Sequence, residues 1–223
     1  MNFFSFVFEY GPKFTSAAII TAQVFIYSSL LAVLISLIFG IMRLSKNIII
    51  QSIATIYIEF YRGTSLIIQM FWIYYVLPLF GVPLPALLAG VLALGMNFGA
   101  YGAEVFRAGI LAVPKGQWEG ALALNFSKSK RMQRIIIPQI YPIILPPAAN
   151  LAVELLKGTA LVSLITLVDL MFVAKQINMM TWLSAQSFGL ALIIYFVMAR
   201  FVLVPFLRWL ELLAAKKVGK GKI

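Results

Sequence analysis

The chain of 223 residues contains no cysteine and no histidine. The first absence removes disulfides and thiolate ligands, and the second removes imidazole. Together they exclude the usual metal clusters and any Ser-His or Cys-His nucleophile pair. Acidic residues are scarce, with 7 Asp and Glu against 18 Lys and Arg. Glu59, Glu104 and Glu119 each stand near a basic residue or a helix end, so no carboxylate pair is left over for acid–base chemistry. No G-x-x-x-x-GK-[ST] loop occurs, and the tail GKGKI follows no strand, so ATP binding through a P-loop is excluded. Internal repeats and low-complexity linkers are also missing.

What the chain has is apolar sequence. Hydrophobic residues make up 62% and charged residues 11%, with a mean hydropathy of +0.99. A soluble domain is about 45–50% apolar, so the expectation is an all-α integral membrane protein, residues 1–223 forming one transmembrane domain. The formal net charge is +11. Its basic residues cluster beside apolar runs, which points to membrane topology and anionic lipid rather than to nucleic acid.

About five spans fit the pattern. The first runs from Thr15 to Met42, after an N-terminal stretch whose Phe3, Phe4, Phe6, Phe8 and Tyr10 suit a segment lying in the membrane interface. That stretch lacks the basic start of a cleaved signal peptide. The second run, Ile48 to Pro78, would be about 45 Å long as one helix, so part of it must project, and Glu59 and Arg62 mark that part. The third span covers Ala86 to Arg107, where Glu104 and Arg107 repeat the spacing of three. A network of Glu59, Arg62, Glu104 and Arg107 at the membrane boundary would satisfy all four charges. Pro138 is expected to end a basic helix capped by Ser127 or Ser129, and Pro142, Pro146 and Pro147 to prevent a regular start to the fourth span, Ile143 to Val168. Residues 169–182 suit the outer surface, and the last span covers Leu183 to Leu207.

Basic residues in short loops stay on the cytosolic side. Arg43, Lys46, Arg62 and Arg107 fall on one side with Lys115, Lys128, Lys130, Arg131 and Arg134, and so do Arg208, Lys216, Lys217, Lys220 and Lys222. The opposite side holds Lys13, Lys175 and, depending on where its span ends, Lys157. The N-terminus is therefore expected outside and the C-terminus in the cytosol, in a multi-pass protein of a prokaryotic cytoplasmic membrane.

The basic loop from Lys115 to Pro147 carries the most specific signal. EGALALN, followed by IIIPQ and ILPP, resembles the EAA loop of ABC-importer permeases, with Gly120 in place of the first alanine and Asn125 in place of glycine. Asparagine is the next best residue for the left-handed turn that ends a helix. EFYRGTSLIIQMFWIYYVLP, YGAEVFRAGILAVPKGQWEGA and NLAVELLKGTALVSLITLVDLM resemble runs of the polar-amino-acid branch of these permeases, with Ser65 for the usual proline and Gly158 for the usual aspartate.

The resemblance implies the type I ABC importer permease fold, with a cytosolic coupling loop at about residues 108–142 in which Gln117, Glu119, Gly120, Ala121 and Asn125 meet an ATPase. It also implies a second permease subunit, identical or homologous, two ABC ATPases that carry the ATP and magnesium, and an extracytoplasmic solute-binding protein. The chain itself would hold no cofactor and would not be an enzyme. Polar amino acids or similar small zwitterions are the expected solutes, a compatible solute such as ectoine is an alternative, and a stand-alone channel or secondary carrier is a second class. Solute-path candidates are Asn97, Glu154, Lys157 and Gly158. Glu154 would attract a cationic group or else pair with Lys157, and Asn97 would bond a solute or a neighbouring helix.

Overall fold

The computed structural model describes residues 2–217, so Lys220 and Lys222 lie outside the described residues. Every regular element among them is helical. Four segments are long and apolar enough to cross a membrane: Phe3–Arg43, Ala86–Leu111, Lys128–Ile165 and Ser184–Leu213. A bent pair, Ile48–Gly63 with Leu66–Phe80, makes a fifth crossing if the two are counted as one.

Helix α1 (Phe3–Arg43) is 41 residues long, about twice what the hydrocarbon layer requires. The N-terminal aromatics are therefore not a separate interfacial segment. Phe6, Phe14 and Ala17 lie on one face and are buried against Leu170, Val173 and Ile177 of α8 (Leu170–Thr181) and Leu190 of α9 (Ser184–Val197). Two further buried clusters follow along the bundle. Val24, Met70, Leu94 and Val162 fill the middle. Ile110, Val113, Ile136 and Ile140 fill the end opposite the N-terminal cluster.

Helix α4 (Ala86–Leu111) is the central post, and α1 is its most extensive partner. The approach is close because Gly95, Gly99 and Ala103 recur every four residues, as the sequence pattern suggests. A Cβ added at Gly95 would come within 2.6 Å of Leu31 Cδ2, and one at Gly99 within 2.5 Å of Ile35 Cγ2. Between apolar helices in lipid, such contact replaces the hydrophobic drive that a soluble core would have. Ser36 adds a bond across the seam, donating to the Gly99 carbonyl at 3.1 Å.

The expected single helix from Ile48 to Pro78 is not formed. Helix α2 (Ile48–Gly63) stops, Thr64 is extended, and α3 (Leu66–Phe71) leaves with a bend of 104°, continuing as a π turn and a 3-10 turn to Phe80. Carbonyls freed by a break inside a membrane need new donors. Gln69 Nε2 supplies the Tyr61 carbonyl at 3.0 Å and the Thr64 carbonyl at 3.3 Å, and Asn97 Nδ2 reaches Tyr61 O at 2.9 Å.

The prolines behave in the opposite way to expectation. Ser127 caps α6 (Lys128–Arg131), which passes through a π turn into α7 (Ile137–Gly158). Pro138 comes just after the π turn, at the start of α7, and Pro142, Pro146 and Pro147 lie inside the continuous helix. Local π adjustment and neighbouring helices make such prolines tolerable in a span. After a 3-10 stretch (Thr159–Ile165) the chain turns at Thr166, with φ of 64°. Asp169 then caps α8 by accepting from Phe172 N–H at 2.9 Å and Met171 N–H at 3.2 Å. Helix α9 passes through the π turn Met198–Leu203 into α10 (Val204–Lys217), which packs on α7.

Candidate functional site

Helix α5 (Lys115–Ala123) lies between the ends of α4 and α7 and carries the EAA-like residues. Trp118 packs into the end cluster of Ile110, Val113, Ile136 and Ile140, and the Arg131 guanidinium lies 5.9 Å from its ring centre. Gln139 donates to Gln117 Oε1 at 3.0 Å, tying α5 to α7. The helix ends at Asn125, whose φ is 53°. Phe126 N–H bonds to the Ala121 carbonyl at 3.1 Å and Asn125 N–H to the Leu122 carbonyl at 2.8 Å, the paired bonds of a Schellman motif.

The five residues expected to act together on this helix face different ways. Gln117, Glu119, Gly120 and Asn125 are exposed, and Gly120 has open space where a Cβ would point. Ala121 is 1% exposed and turns inward. The outward surface is instead extended by Leu122 and Leu124, 57% and 68% exposed. These two leucines were not singled out from sequence, although apolar side chains on a short solvent-side helix are a signal of a partner.

The expected four-charge network is only partly formed. Arg107 donates twice to Glu104 Oε2, at 2.8 and 3.0 Å, and Arg43 lies 3.7 Å from Glu104 Oε1. Arg43 also donates to Thr55. Arg62 rests 5.4 Å from the Tyr101 ring. Glu59 is exposed and enters no ion pair among the described residues. It follows Ile58, which is buried, and so points about 100° away from the packed stripe of α2. Arg43, which the network reading left out, takes the place of Glu59's neighbour.

Asn97 is 5% exposed, and both of its amide hydrogens are used, on the Tyr61 carbonyl and on Gln69 Oε1 at 3.0 Å. Of its two expected roles, the bond to a neighbouring helix is the one made. A concavity of about 540 Å³ opens beside this break, lined by Tyr61, Thr64, Gln69 and Met96 with apolar neighbours. Glu154 and Lys157 are exposed on α7, and the expected pair between them is not formed. A Cβ at Gly158 would make ordinary contacts with Leu94 and Phe98 at 3.4 and 3.5 Å, so a methyl group would fit there. Among the described residues no group of three or more His, Cys, Asp or Glu could hold a metal ion.

Comparison with known proteins places the whole arrangement. Residues 32–215 match the family described as binding-protein-dependent transport system inner membrane component. The chain belongs to that family. It is 44% identical over 209 residues to the probable amino-acid ABC transporter permease protein y4tF of Sinorhizobium fredii, covering 91% of this chain and 87% of that protein. It is 33% identical over 187 residues to the L-cystine transport system permease protein TcyB of Bacillus subtilis, covering 84% of this chain and 77% of that protein. Among solved structures, a chain of an amino acid ABC transporter crystallised with histidines superposes with a TM-score of 0.86 at 37% identity, covering 95% of this permease and 98% of that chain. An inward-facing MetNI methionine ABC transporter shares the fold at 15% identity, with a TM-score of 0.70 over 88% of this permease and 95% of that chain.

One charged residue escaped the sequence reading. Arg200 lies within the last apolar segment, in the π turn Met198–Leu203, and is exposed on the subunit surface. A lone arginine in an apolar run is a functional signal by default. It was overlooked because the charge rule drew attention to the clusters at the span ends.

Proposed function

We infer that this permease is the membrane-spanning subunit of a binding-protein-dependent ABC importer and carries amino acids or related polar solutes across the cytoplasmic membrane. The observation that carries this reading is helix α5: a short, capped helix at the basic end of the bundle, fixed from within by Trp118 and Ala121 and presenting Glu119, Gly120, Leu122 and Leu124 outward. A surface of that kind suits docking against a cytosolic ATPase. In this proposal the loop at about 108–142 is the coupling element of a single domain, the N-terminus is outside and the C-terminus is cytosolic. The partners are a second permease subunit, two ATPases that hold ATP and magnesium, and an extracytoplasmic solute-binding protein.

The mechanism follows from the connections of α5. Closure of the ATPases on ATP would push α5, and the Gln117–Gln139 bond with the Trp118 cluster would carry the displacement into α7 and α4. The Glu104 network would pass it on to α1. Rigid helices then exchange inward and outward openings, as in a two-state transition biased by nucleotide. Glu154, exposed and unpaired within an apolar span, is the proposed contact for the cationic group of the solute.

The test is Gly120→Arg in the reconstituted importer. Ala121→Arg would disturb the packing of α5 itself, whereas a Cβ at Gly120 points into open space with no atom within 4 Å. ATP-dependent uptake is expected to fall about thirtyfold, as for loss of a central interface contact, while the permease stays in the membrane. Normal uptake by Gly120→Arg would refute the docking role of this face.

A further inference from the structure

Three guanidinium groups gather around one carboxylate near the basic end of the bundle. Arg107 spends two donors on Glu104 Oε2, at 2.8 and 3.0 Å. Glu104 Oε1 is buried and receives no hydrogen bond among the described residues, and Arg43 Nε stays 3.7 Å from it. Arg43 turns its Nη1 to Thr55 of α2 instead. Arg62 lies over the ring of Tyr101, which stands three residues before Glu104 on the same face of α4. It is close enough for its charge to act on Glu104, yet it enters no ion pair among the described residues.

One carboxylate thus faces three cations, and positive charge is left over. Glu59, three residues before Arg62, is exposed and offsets none of it through an ion pair. The depth of the cluster limits what can meet it. Glu104 lies about two turns before the end of α4 at Leu111, roughly 10 Å along the axis. That sets it at the border of the hydrocarbon rather than beside α5, the face read as the ATPase dock. The Arg43 and Arg107 side chains remain 21% and 31% exposed, and Arg62 is exposed as well. Ile41, Ile56 and Leu111, on the same three helices, are exposed apolar side chains that acyl chains can cover. A guanidinium at such a border is costly unless water or an opposite charge meets it. The cytoplasmic leaflet carries anionic headgroups at that level, and basic pockets between spans take them up.

We propose that Arg43, Arg62 and Arg107 form a site for the phosphate of an anionic phospholipid of the cytoplasmic leaflet. A guanidinium fork matches phosphate oxygens with two parallel hydrogen bonds, and the surplus charge of the cluster favours an anionic headgroup over a zwitterionic one. A headgroup held there ties α2, just before its break at Thr64, to the seam between α1 and α4. The choice of leaflet rests on the reading of this end of the permease as cytosolic.

The experiment titrates the purified complex of this permease with its ATPases, in neutral detergent, with phosphatidylglycerol and counts bound lipid by native mass spectrometry. Arg62→Gln removes a cation that holds no ion pair, and is expected to weaken binding about ten- to hundredfold. Arg62→Lys recovers part of the loss, and Lys128→Gln, exposed on α6, changes nothing. On the wild type, phosphatidylcholine fails to compete and inorganic phosphate competes weakly. The proposal is overturned by equal affinity of wild type and Arg62→Gln, by an equal loss in Lys128→Gln, or by full competition from phosphatidylcholine. Full displacement by inorganic phosphate overturns it in favour of a free anion. A complex that binds no phosphatidylglycerol overturns it too, and a carboxylate of the second permease subunit is then the counter-charge. The competition arms need no variant and stand even where Arg62→Gln does not assemble. ATP-dependent uptake by the same preparation tests the importer reading separately, so the two failures are told apart.

Discussion

The segment from Ile48 to Phe80 and the segment from Lys128 to Gly158 reverse each other's expected behaviour. The first contains no proline until Pro78, yet it bends by 104°. The second contains Pro138, Pro142, Pro146 and Pro147 and stays helical. The difference lies in where hydrogen-bond donors can be found. At the break, Asn97 and Gln69 serve the carbonyls of Tyr61 and Thr64 from across the packed helices. Along α7 a preceding π turn and the solvating neighbours absorb the missing N–H groups. A membrane helix therefore breaks where buried side chains support the break, and a proline alone does not decide the place.

The largest effect expected from this comparison is at the break itself. Asn97→Leu takes the donor from Gln69 Oε1 and leaves the Tyr61 carbonyl with Gln69 alone in an apolar site, at a cost of about 2–4 kcal/mol. Gln69→Leu should cost a similar amount, and the double variant less than the sum, because the two amides share one network. Thermal unfolding of the purified permease in detergent measures all three. Additive losses, or a loss below about 0.5 kcal/mol, would mean that the bend is held by apolar packing and the comparison is wrong.

A second departure from helix, at Thr166 to Asp169, is supported by a carboxylate rather than by amides. Burial pushes the Asp169 carboxyl up to about 6, against the pull of the Phe172 and Met171 N–H groups, the Tyr195 hydroxyl and the Lys175 charge. The folded state thus holds its proton more tightly than the unfolded chain. The contribution is fully present below about pH 4 and is lost as pH rises through about 6, a swing of about 2–3 kcal/mol. Asp169→Asn keeps a capping oxygen and should flatten the pH profile of the unfolding midpoint over that window. An unchanged profile in the variant would assign the pH dependence to another group.

These two departures also separate what was legible in the sequence from what was not. The Asn125 turn and the Glu104–Arg107 pair involve residues within a few positions of each other; the first was readable from asparagine in the glycine position of the EAA-like run and the second from spacing. Gly95, Gly99 and Ala103 likewise declared a close seam. The bend at Thr64 did not, since Asn97 lies 28 positions from the Gln69 it bonds. The full length of α1 was hidden for the same reason: Phe6 and Tyr10 look like interfacial aromatics until α8 and α9 are folded against them. Prolines were misread through the rules of soluble helices, and Arg200 was passed over because nothing adjacent in sequence marks it.

A third departure, at Asn125, is held by its own backbone bonds alone and should be cheaper to perturb. Asn125→Ala keeps a Cβ in the left-handed region but loses the short polar side chain that eases that conformation, at a cost of about 1 kcal/mol, whereas Asn125→Gly should be nearly neutral or slightly favourable. The effect should appear in uptake more than in the global unfolding midpoint, because α5 is short and at the edge of the bundle. Equal uptake by both variants would show that the turn does not orient α5.

The smallest effect belongs to the prolines, and it is the control for the whole comparison. Pro146→Ala restores an N–H that can bond within α7, and alanine is the strongest helix former. In water that exchange would favour the helix by about 3 kcal/mol, but α7 has already adapted around the ring, and Pro146 borders a concavity shared with Arg208. The gain lost to that reshaping leaves an expected change within about 1 kcal/mol of zero, without loss of the membrane-inserted fold. A destabilisation above about 2 kcal/mol would show that the proline shapes α7 actively. The contrast between a break made by side chains and a run that merely tolerates its prolines would then no longer hold.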